Sequence, residues 1–499
     1  MQKAFLRQLF GYLPSKVIPA LAGFVITPIV TRLFLPAEYG YWALAGGVSD
    51  FLYALACSGI GAATVRFFAT YKARARLDVF FSTLGVTIGT AVIPASLISF
   101  AVLLSLRSHL TSVLYTLILI SILTFAARAV FTILMNVAVA QERSGLYTAF
   151  ELLTRYGGIG LGLALVIAFG LRVDGLMWGA LLAFAVAIPF LLTLAAKGTR
   201  ISAKNVHFPD MLEMWRYALP LAIGNMAMWG LRLSDRYVIG LFRGESDVGL
   251  YSAAYNLTGK SVDVLAALFG LSMFPILMKV WEGEGRVATE KTLAMFTRVY
   301  LILGVPMAAG LALFASPFIS IFTPQAYHDG YRVVGYVAFS AFIWQLSQIA
   351  SYGMLIKQKT GQIAANQIVA ALVNLGLTLL LVPRYGYVTA GVTTLVGYIV
   401  LFALQAYSSQ AYLTWQLPWR TLRNTIIATL CMGIVTVATY SVSGSIMELR
   451  LSYLLLSVGA AMLVYFVSLW LLGEANEEER AVANQLRQRL GAMAHGVDG

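Results

Sequence analysis

The chain has 499 residues, 59% of them hydrophobic and only 11% charged, with a net charge of +13. A soluble domain carries roughly 25% charged residues, so no soluble surface can be clothed from this supply, and the mean hydropathy of +0.79 agrees. Soluble enzymes and soluble nucleic-acid binders are thereby excluded, and the solvent that remains is lipid, where helices satisfy every backbone group internally.

A helix needs roughly 20 apolar residues to cross a hydrocarbon core of about 30 Å. Fourteen such spans are expected, near 10–31, 41–66, 79–104, 111–136, 146–169, 174–196, 216–241, 249–277, 293–316, 331–355, 361–382, 387–408, 421–442 and 450–472. The fold class is an all-α polytopic membrane protein. Lys3 and Arg7 precede the first run, which lacks a small-residue cleavage signature and reads as a retained span. Pro14, Pro19 and Pro28 punctuate that span, Pro220 lies early in the seventh and Pro275 late in the eighth, where each removes a backbone donor. Loops are short throughout, and the longest polar connection, Lys197 to Trp215, has no pattern of a separate domain. Beyond Leu472 the chain becomes a charged, helix-permissive tail.

Cations set the orientation. With the N-terminus inside, nineteen Lys and Arg residues fall in cytoplasmic segments and seven on the opposite side. That bias is what the positive-inside rule expects and requires an even number of spans, with both termini cytoplasmic. Much of the positive charge is thus topological, and no nucleic-acid partner is expected. Cys57 and Cys431 sit in apolar runs and read as packing residues, and the four His show no metal-ligand spacing.

A short internal repeat suggests two lobes. The first span leads into Pro36-Ala37-Glu38-Tyr39-Gly40-Tyr41-Trp42, and the seventh into Glu245-Ser246-Asp247-Val248-Gly249-Leu250-Tyr251. Each offers an acidic turn, a glycine able to take positive φ and an aromatic opening the next helix. Parallel repeats of this kind occur in transporters whose halves rock about a central site.

Charges inside spans carry the functional signal, because an ion at the bilayer centre costs at least about 2.5–3.5 kcal/mol. Asp50, Arg155 and Lys260 lie nearest mid-membrane, and Arg232, Asp235 and Arg236 form a cluster at helical spacing that places Asp235 beside Arg232. Lys260 and Asp263 repeat that spacing in the next helix. Lys16, Arg66, Arg128, Arg216 and Arg298 are close enough to an interface to snorkel. Cations outnumber carboxylates, which favours an anionic substrate over structural ion pairing. A guanidinium grips phosphate oxygens bidentately and stays charged in a cavity, so Arg155, Arg232 and Arg236 are the preferred contacts, with Lys260 a point charge. No phosphate-binding Gly-Lys-Ser/Thr loop, dinucleotide fingerprint or catalytic set is present; no enzyme activity, metal or cofactor is expected.

Three local signatures carry a family resemblance. They are Pro36-x-Glu38-Tyr39-Gly40; Tyr217-x-x-Pro220 with Trp229, Asp235-Arg236-Tyr237 and Val248-Gly249-x-Tyr251-x-x-Ala254-Tyr255; and Pro383-x-Tyr385-Gly386. With the short-loop pattern up to Leu472, the chain resembles the polysaccharide-export branch of the multidrug, oligosaccharidyl-lipid and polysaccharide exporters. The resemblance implies an N-lobe over 1–200 (spans 1–6), a C-lobe over 201–415 (spans 7–12), two further helices over 416–472 and a cytoplasmic tail over 473–499. It implies a cytoplasmic-membrane flippase moving a polyprenyl-diphosphate-linked oligosaccharide to the outer leaflet by alternating access, alongside glycan polymerases or glycosyltransferases. Arg32, Arg155, Arg232, Arg236 and Lys260 become the positions expected to hold the anionic head. Asp50, Asp235 and Asp263 are the candidates for ion coupling or counterions. The denser Arg and Asp pattern of peptidoglycan-precursor flippases is missing from the first helix. Two other readings stand: an ion-coupled drug or organic-cation antiporter, and a non-catalytic membrane assembly component.

Overall fold

The computed structural model describes residues 24–443 and 451–474, with the side chains at 263, 264, 266–272, 439–443 and 451–453 left outside. Within it the chain is all helix: α1 Phe24–Leu33, α2 Pro36–Ala56, α3 Ser58–Ala73, α4 Leu77–Ser105, α5 Ser112–Ala140, α6 Ser144–Phe169 and α7 Asp174–Ala195 come first. There follow α8 Phe208–Arg243, α9 Glu245–Leu313, α10 Ala315–Phe322, α11 Tyr331–Ile356, α12 Thr360–Tyr385, α13 Val388–Ser409, α14 Trp419–Ser443 and α15 Leu451–Leu471. Among the described residues ten helices are long and apolar enough to cross a membrane, or eleven with the bent pair α2–α3 taken as one span.

The difference from the expected fourteen has physical sources. Most of the first expected span, with Lys16, Pro14 and Pro19, lies outside the described residues. The seventh falls in α8, which carries Asp210, Glu213, Arg216, Arg232, Asp235, Arg236 and Arg243 and is not apolar enough to qualify. The eighth and ninth run through α9, 69 residues interrupted only where Gly285 takes φ 81°. The second span is broken: α2 and α3 meet at 46° around Cys57. There Gly59 lets α3 settle onto the α8 backbone, since a Cβ on it would lie 2.0 Å from the Ala218 carbonyl oxygen.

Helices α2–α7 pack on one another, as do α8, α9 and α11–α13, while α14 and α15 pair together against α9. In lipid the packed faces gain little from hydrophobic burial, so close backbone approach and hydrogen bonds matter more. Accordingly, a Cβ on Gly179 of α7 would meet the Gly162 nitrogen of α6 at 2.2 Å. Tyr300 stacks on Phe342 at 5.3 Å, with its hydroxyl donating to the Phe342 carbonyl at 3.0 Å. The connection before α8 is sewn onto the start of α4. Backbone N–H groups of Arg200, Ser202 and His207 donate to Asp78, Ser82 and Thr83 at 2.8, 3.1 and 3.1 Å. The C-terminal pair is fastened by Glu474, which accepts from Arg298 Nε at 3.1 Å, Thr421 at 2.5 Å and Asn424 at 2.8 Å. Both cysteines are free, and Cys57 is fully buried as a packing residue.

Candidate functional site

Two seams separate the helix sets, and between them runs a chamber of three confluent cavities, of about 430, 310 and 530 Å³. Asp50 of α2 borders all three. The middle cavity joins Trp42 and Arg155 to Arg236, Asn256 and Lys260, so side chains from both helix sets share one space.

On the α2–α7 side the cations are paired. Arg128 of α5 donates to the Asp50 carboxylate and stands over the Tyr53 ring at 5.3 Å. Arg155 donates to Glu151 one turn back on α6 at 3.0 Å, with 46% of its side chain exposed to the cavity. Glu151 and Arg128 line the largest of the three cavities with Asp50 and Arg155.

The α8–α9 side differs. Arg236 is buried, donates to Asn256 Oδ1 at 3.4 Å and lies over the Tyr255 ring at 5.1 Å. Its Nε has no hydrogen-bond partner among the described residues. Arg232 is exposed to the same space, 5.2 Å from the Trp344 ring, and Lys260 lines the cavity beside it. Behind this wall Asp235, 1% exposed, accepts from the Tyr251 hydroxyl, the Arg236 backbone N–H at 2.8 Å and Thr394 at 3.4 Å. Asn374 donates to Thr394 at 3.5 Å, and its own carbonyl oxygen is buried without a hydrogen-bond partner among the described residues. Asp235 borders none of the three cavities.

The structure thus brings Arg155, Arg232, Arg236, Lys260 and Asp50 to one chamber. Arg32 is not among them: it is exposed and donates to the Pro28 carbonyl at 3.2 Å, one turn back. Asp235 does not line the chamber beside Arg232; it lies in the α9–α13 packing, where it accepts from the Tyr251 and Thr394 hydroxyls. The side chain of Asp263 lies outside the described residues. Arg298 belongs to the Glu474 fastening, and Arg66 stacks on Tyr217 at 4.5 Å. Sequence reasoning passed over Glu151 altogether, although Glu151–Arg155 at i,i+4 on one face was a usable signal. It also ranked Arg128 as a snorkelling residue, because nothing in one chain's order pairs α5 with α2.

At the end that carries the repeated turns the two helix sets are in close contact. A Cβ on Gly40 would lie 1.9 Å from the Glu245 carbonyl oxygen, and one on Gly249 would lie 1.8 Å from that of Pro36. The two copies of the repeat face each other reciprocally, each glycine against the first residue of the other helix. Neither takes positive φ; that conformation falls instead to Gly244 at φ 88°. Both repeat glycines are helical and serve close approach, which is the second reason a chain keeps glycine. Tyr327 adds a bond across the seam, its hydroxyl donating to the Phe34 carbonyl at 2.8 Å. Glu38 caps α2 by accepting from the Leu35 N–H at 3.0 Å and also holds Arg172 at 2.9 Å. Among the described residues no group of three His, Cys, Asp or Glu could hold a metal ion.

Residues 5–281, more than half of the chain, match the model of a family described as polysaccharide biosynthesis protein. A probable low-salt glycan biosynthesis flippase, Agl15 of Haloferax volcanii, is 20% identical over 307 residues, 60% of this chain. An uncharacterized membrane protein of Methanocaldococcus jannaschii is 23% identical over 194 residues, 39% of this chain. The chain spans less than two thirds of either relative, 64% of the first and 38% of the second. Among solved structures, the lipid II flippase MurJ in an inward closed conformation superposes with a TM-score of 0.65 at 14% identity, covering 94% of this chain and 97% of its own. A Vibrio cholerae MATE transporter gives 0.58 at 14% identity, over 82% of this chain and 96% of its own. The family match over more than half of the chain shows that this multi-pass membrane protein belongs to the family described as polysaccharide biosynthesis protein, and its fold is like that of MurJ and the MATE transporters.

Proposed function

We propose that the chain flips a polyprenyl-diphosphate-linked oligosaccharide from the cytoplasmic to the outer leaflet by alternating access. The observation that carries this reading is Arg236: a buried guanidinium on the chamber wall whose Nε lacks a partner among the described residues. Arg236 borders two of the cavities and hydrogen-bonds there only to the neutral Asn256 among its described partners, so its guanidinium charge is placed to meet a phosphate entering the chamber. Arg232 and Lys260 extend the same wall. In this reading 1–200 and 201–415 act as two six-helix lobes, 416–472 as two added helices and 473–499 as a cytoplasmic tail, in a cytoplasmic membrane with both termini inside. Glycan polymerases or glycosyltransferases supply and consume the cargo. Asp50 serves as counterion to Arg128, and Asp235 is the candidate coupling site for a proton or sodium ion, with Asp263 a further counterion.

The MATE-like fold favours a second reading, a drug or organic-cation antiporter. Against it, the two described carboxylates on the chamber wall, Asp50 and Glu151, each already hold an arginine. Reconstitution with a fluorescent lipid-linked oligosaccharide separates the readings. Flipping is expected to expose the glycan to a lectin added outside, and Arg236→Gln to slow it by tenfold or more. Transport of an organic cation with no glycan exposure would overturn the proposal.

A further inference from the structure

The two walls of the chamber differ in kind, and the difference bears on how a two-part head group lies in it. On the α2–α7 side each cation is neutralised in place, Arg128 by Asp50 and Arg155 by Glu151. A diphosphate placed there would bring its oxygens against two carboxylates, and like charges in a confined low-dielectric site repel strongly. On the α8–α9 side Arg236 borders the cavity with its side chain on the neutral Asn256, and Asp235 is turned away from the cavity into hydroxyl donors.

Resting on the flippase reading above, we infer that the alcove lined by Trp42, Asp50, Arg128, Glu151, Thr154 and Arg155 is a glycan-binding subsite, distinct from the diphosphate site around Arg236. Its chemistry suits a neutral polyol. Planar ion pairs present fixed donors and acceptors side by side, matching the vicinal hydroxyls of a sugar ring, and charge-assisted bonds of this kind are the strong ones. Half-exposed pairs lose little further solvation when a hydroxyl replaces water: the Arg128 and Asp50 side chains are 33% and 41% exposed, and those of Arg155 and Glu151 are 46% and 24%. Trp42 supplies an apolar ring whose negative face meets the C–H edges of a pyranose. It lines the cavity and packs at right angles to the Tyr39 ring, with centroids 5.3 Å apart. The alcove measures about 530 Å³, within the range of roughly 300–1,000 Å³ typical of small-molecule pockets. The lipid-linked head group therefore lies across the chamber, diphosphate on Arg236 and the first sugars against Trp42 and the two ion pairs.

The test compares three probes on the purified full chain in nanodiscs: bare polyprenyl diphosphate, the same lipid carrying a neutral hexose disaccharide, and the same lipid carrying an N-acetylhexosamine disaccharide. Wild type is expected to bind at least one sugar-bearing probe about tenfold or more tighter than the bare lipid, as a built hydrogen-bonding site discriminates. Trp42→Ala and Glu151→Gln should erase most of that preference. Glu151→Gln should bind the bare lipid at least as tightly as wild type, since it frees Arg155; this retained binding also reports that the variant is folded. Arg236→Gln should weaken all three probes together. Equal wild-type affinity for all three, or loss of bare-lipid binding by Glu151→Gln, would overturn the alcove while leaving the flippase reading intact. No binding of any diphosphate lipid by wild type would overturn both.

Discussion

In the alternating-access reading proposed above, the reciprocal glycine contact lets one methyl group set the equilibrium between forms closed and open at the end that carries the repeated turns. A Cβ at Gly40 sits 1.9 Å from the Glu245 carbonyl oxygen, whereas real Cβ contacts essentially never fall below 3.0 Å. The opposing atom is backbone and has no rotamer to yield, so α2 and α9 must separate locally by about 1.1 Å or more in a region packed to crystal-like density. Overpacking of this sort costs about 1–3 kcal/mol. Borne only by the closed form, that cost shifts the open population about 5- to 150-fold. The assay places a single cysteine beneath the seal, Asn256→Cys in a background of Cys57→Ala and Cys431→Ala, and follows its labelling by an impermeant maleimide added outside proteoliposomes. Gly40→Ala and Gly249→Ala should each raise the labelling rate at least fivefold. Their combination should add less than the sum, since both substitutions wedge open the same interface. Gly160→Ala, where no atom comes within 4 Å of the added carbon, should change nothing. Unchanged labelling in folded Gly40→Ala and Gly249→Ala protein would refute the reasoning.

Three further outcomes follow from the contacts. Arg298 and Glu474 are 13% and 5% exposed, so Glu474→Ala should lower stability by about 3–5 kcal/mol, read as thermal unfolding in detergent, with Arg298→Met restoring a large share. Tyr251→Phe removes a donor from the buried Asp235 carboxylate and should cost about 1–3 kcal/mol in the same measurement. Arg172→Gln breaks the pair with Glu38, but Arg172 is 73% exposed, so the loss should stay below about 1 kcal/mol and vanish at high salt.

The scarcity of charge together with recurring long apolar runs made helices in lipid legible. The repeat of Gly40 and Gly249 was also legible, and so was the pairing of similar hairpins, but their mutual contact was not. Facing glycines read like turn glycines until a second helix is set against them. Arg155 and Lys260 were legible by depth along their helices and Arg232 and Arg236 by their helical spacing, and all four line the chamber. Depth says nothing of azimuth, however. Asp235 and Arg232 share a helix face by spacing, yet one turns to Tyr251 and the other to Trp344. Partnerships across helices, Asp50 with Arg128 and Arg298 with Glu474, depend on which spans are neighbours, information that a linear pattern of hydropathy does not contain.

Helix α8 is held at both ends by different regions of the molecule. Its first turns are tied to α3 and α4, through Tyr71 with Asp210, Trp215 with Thr90 at 3.3 Å, and the Gly59–Ala218 contact. Its last turns are tied to α9 and α13 through Asp235. Between the two anchorages stands Pro220, where the helical ladder lacks a rung. In the alternating-access reading proposed above, a swing of one half against the other would flex this rod about that weakened point, making α8 a leaf spring whose stiffness is tunable at a single residue.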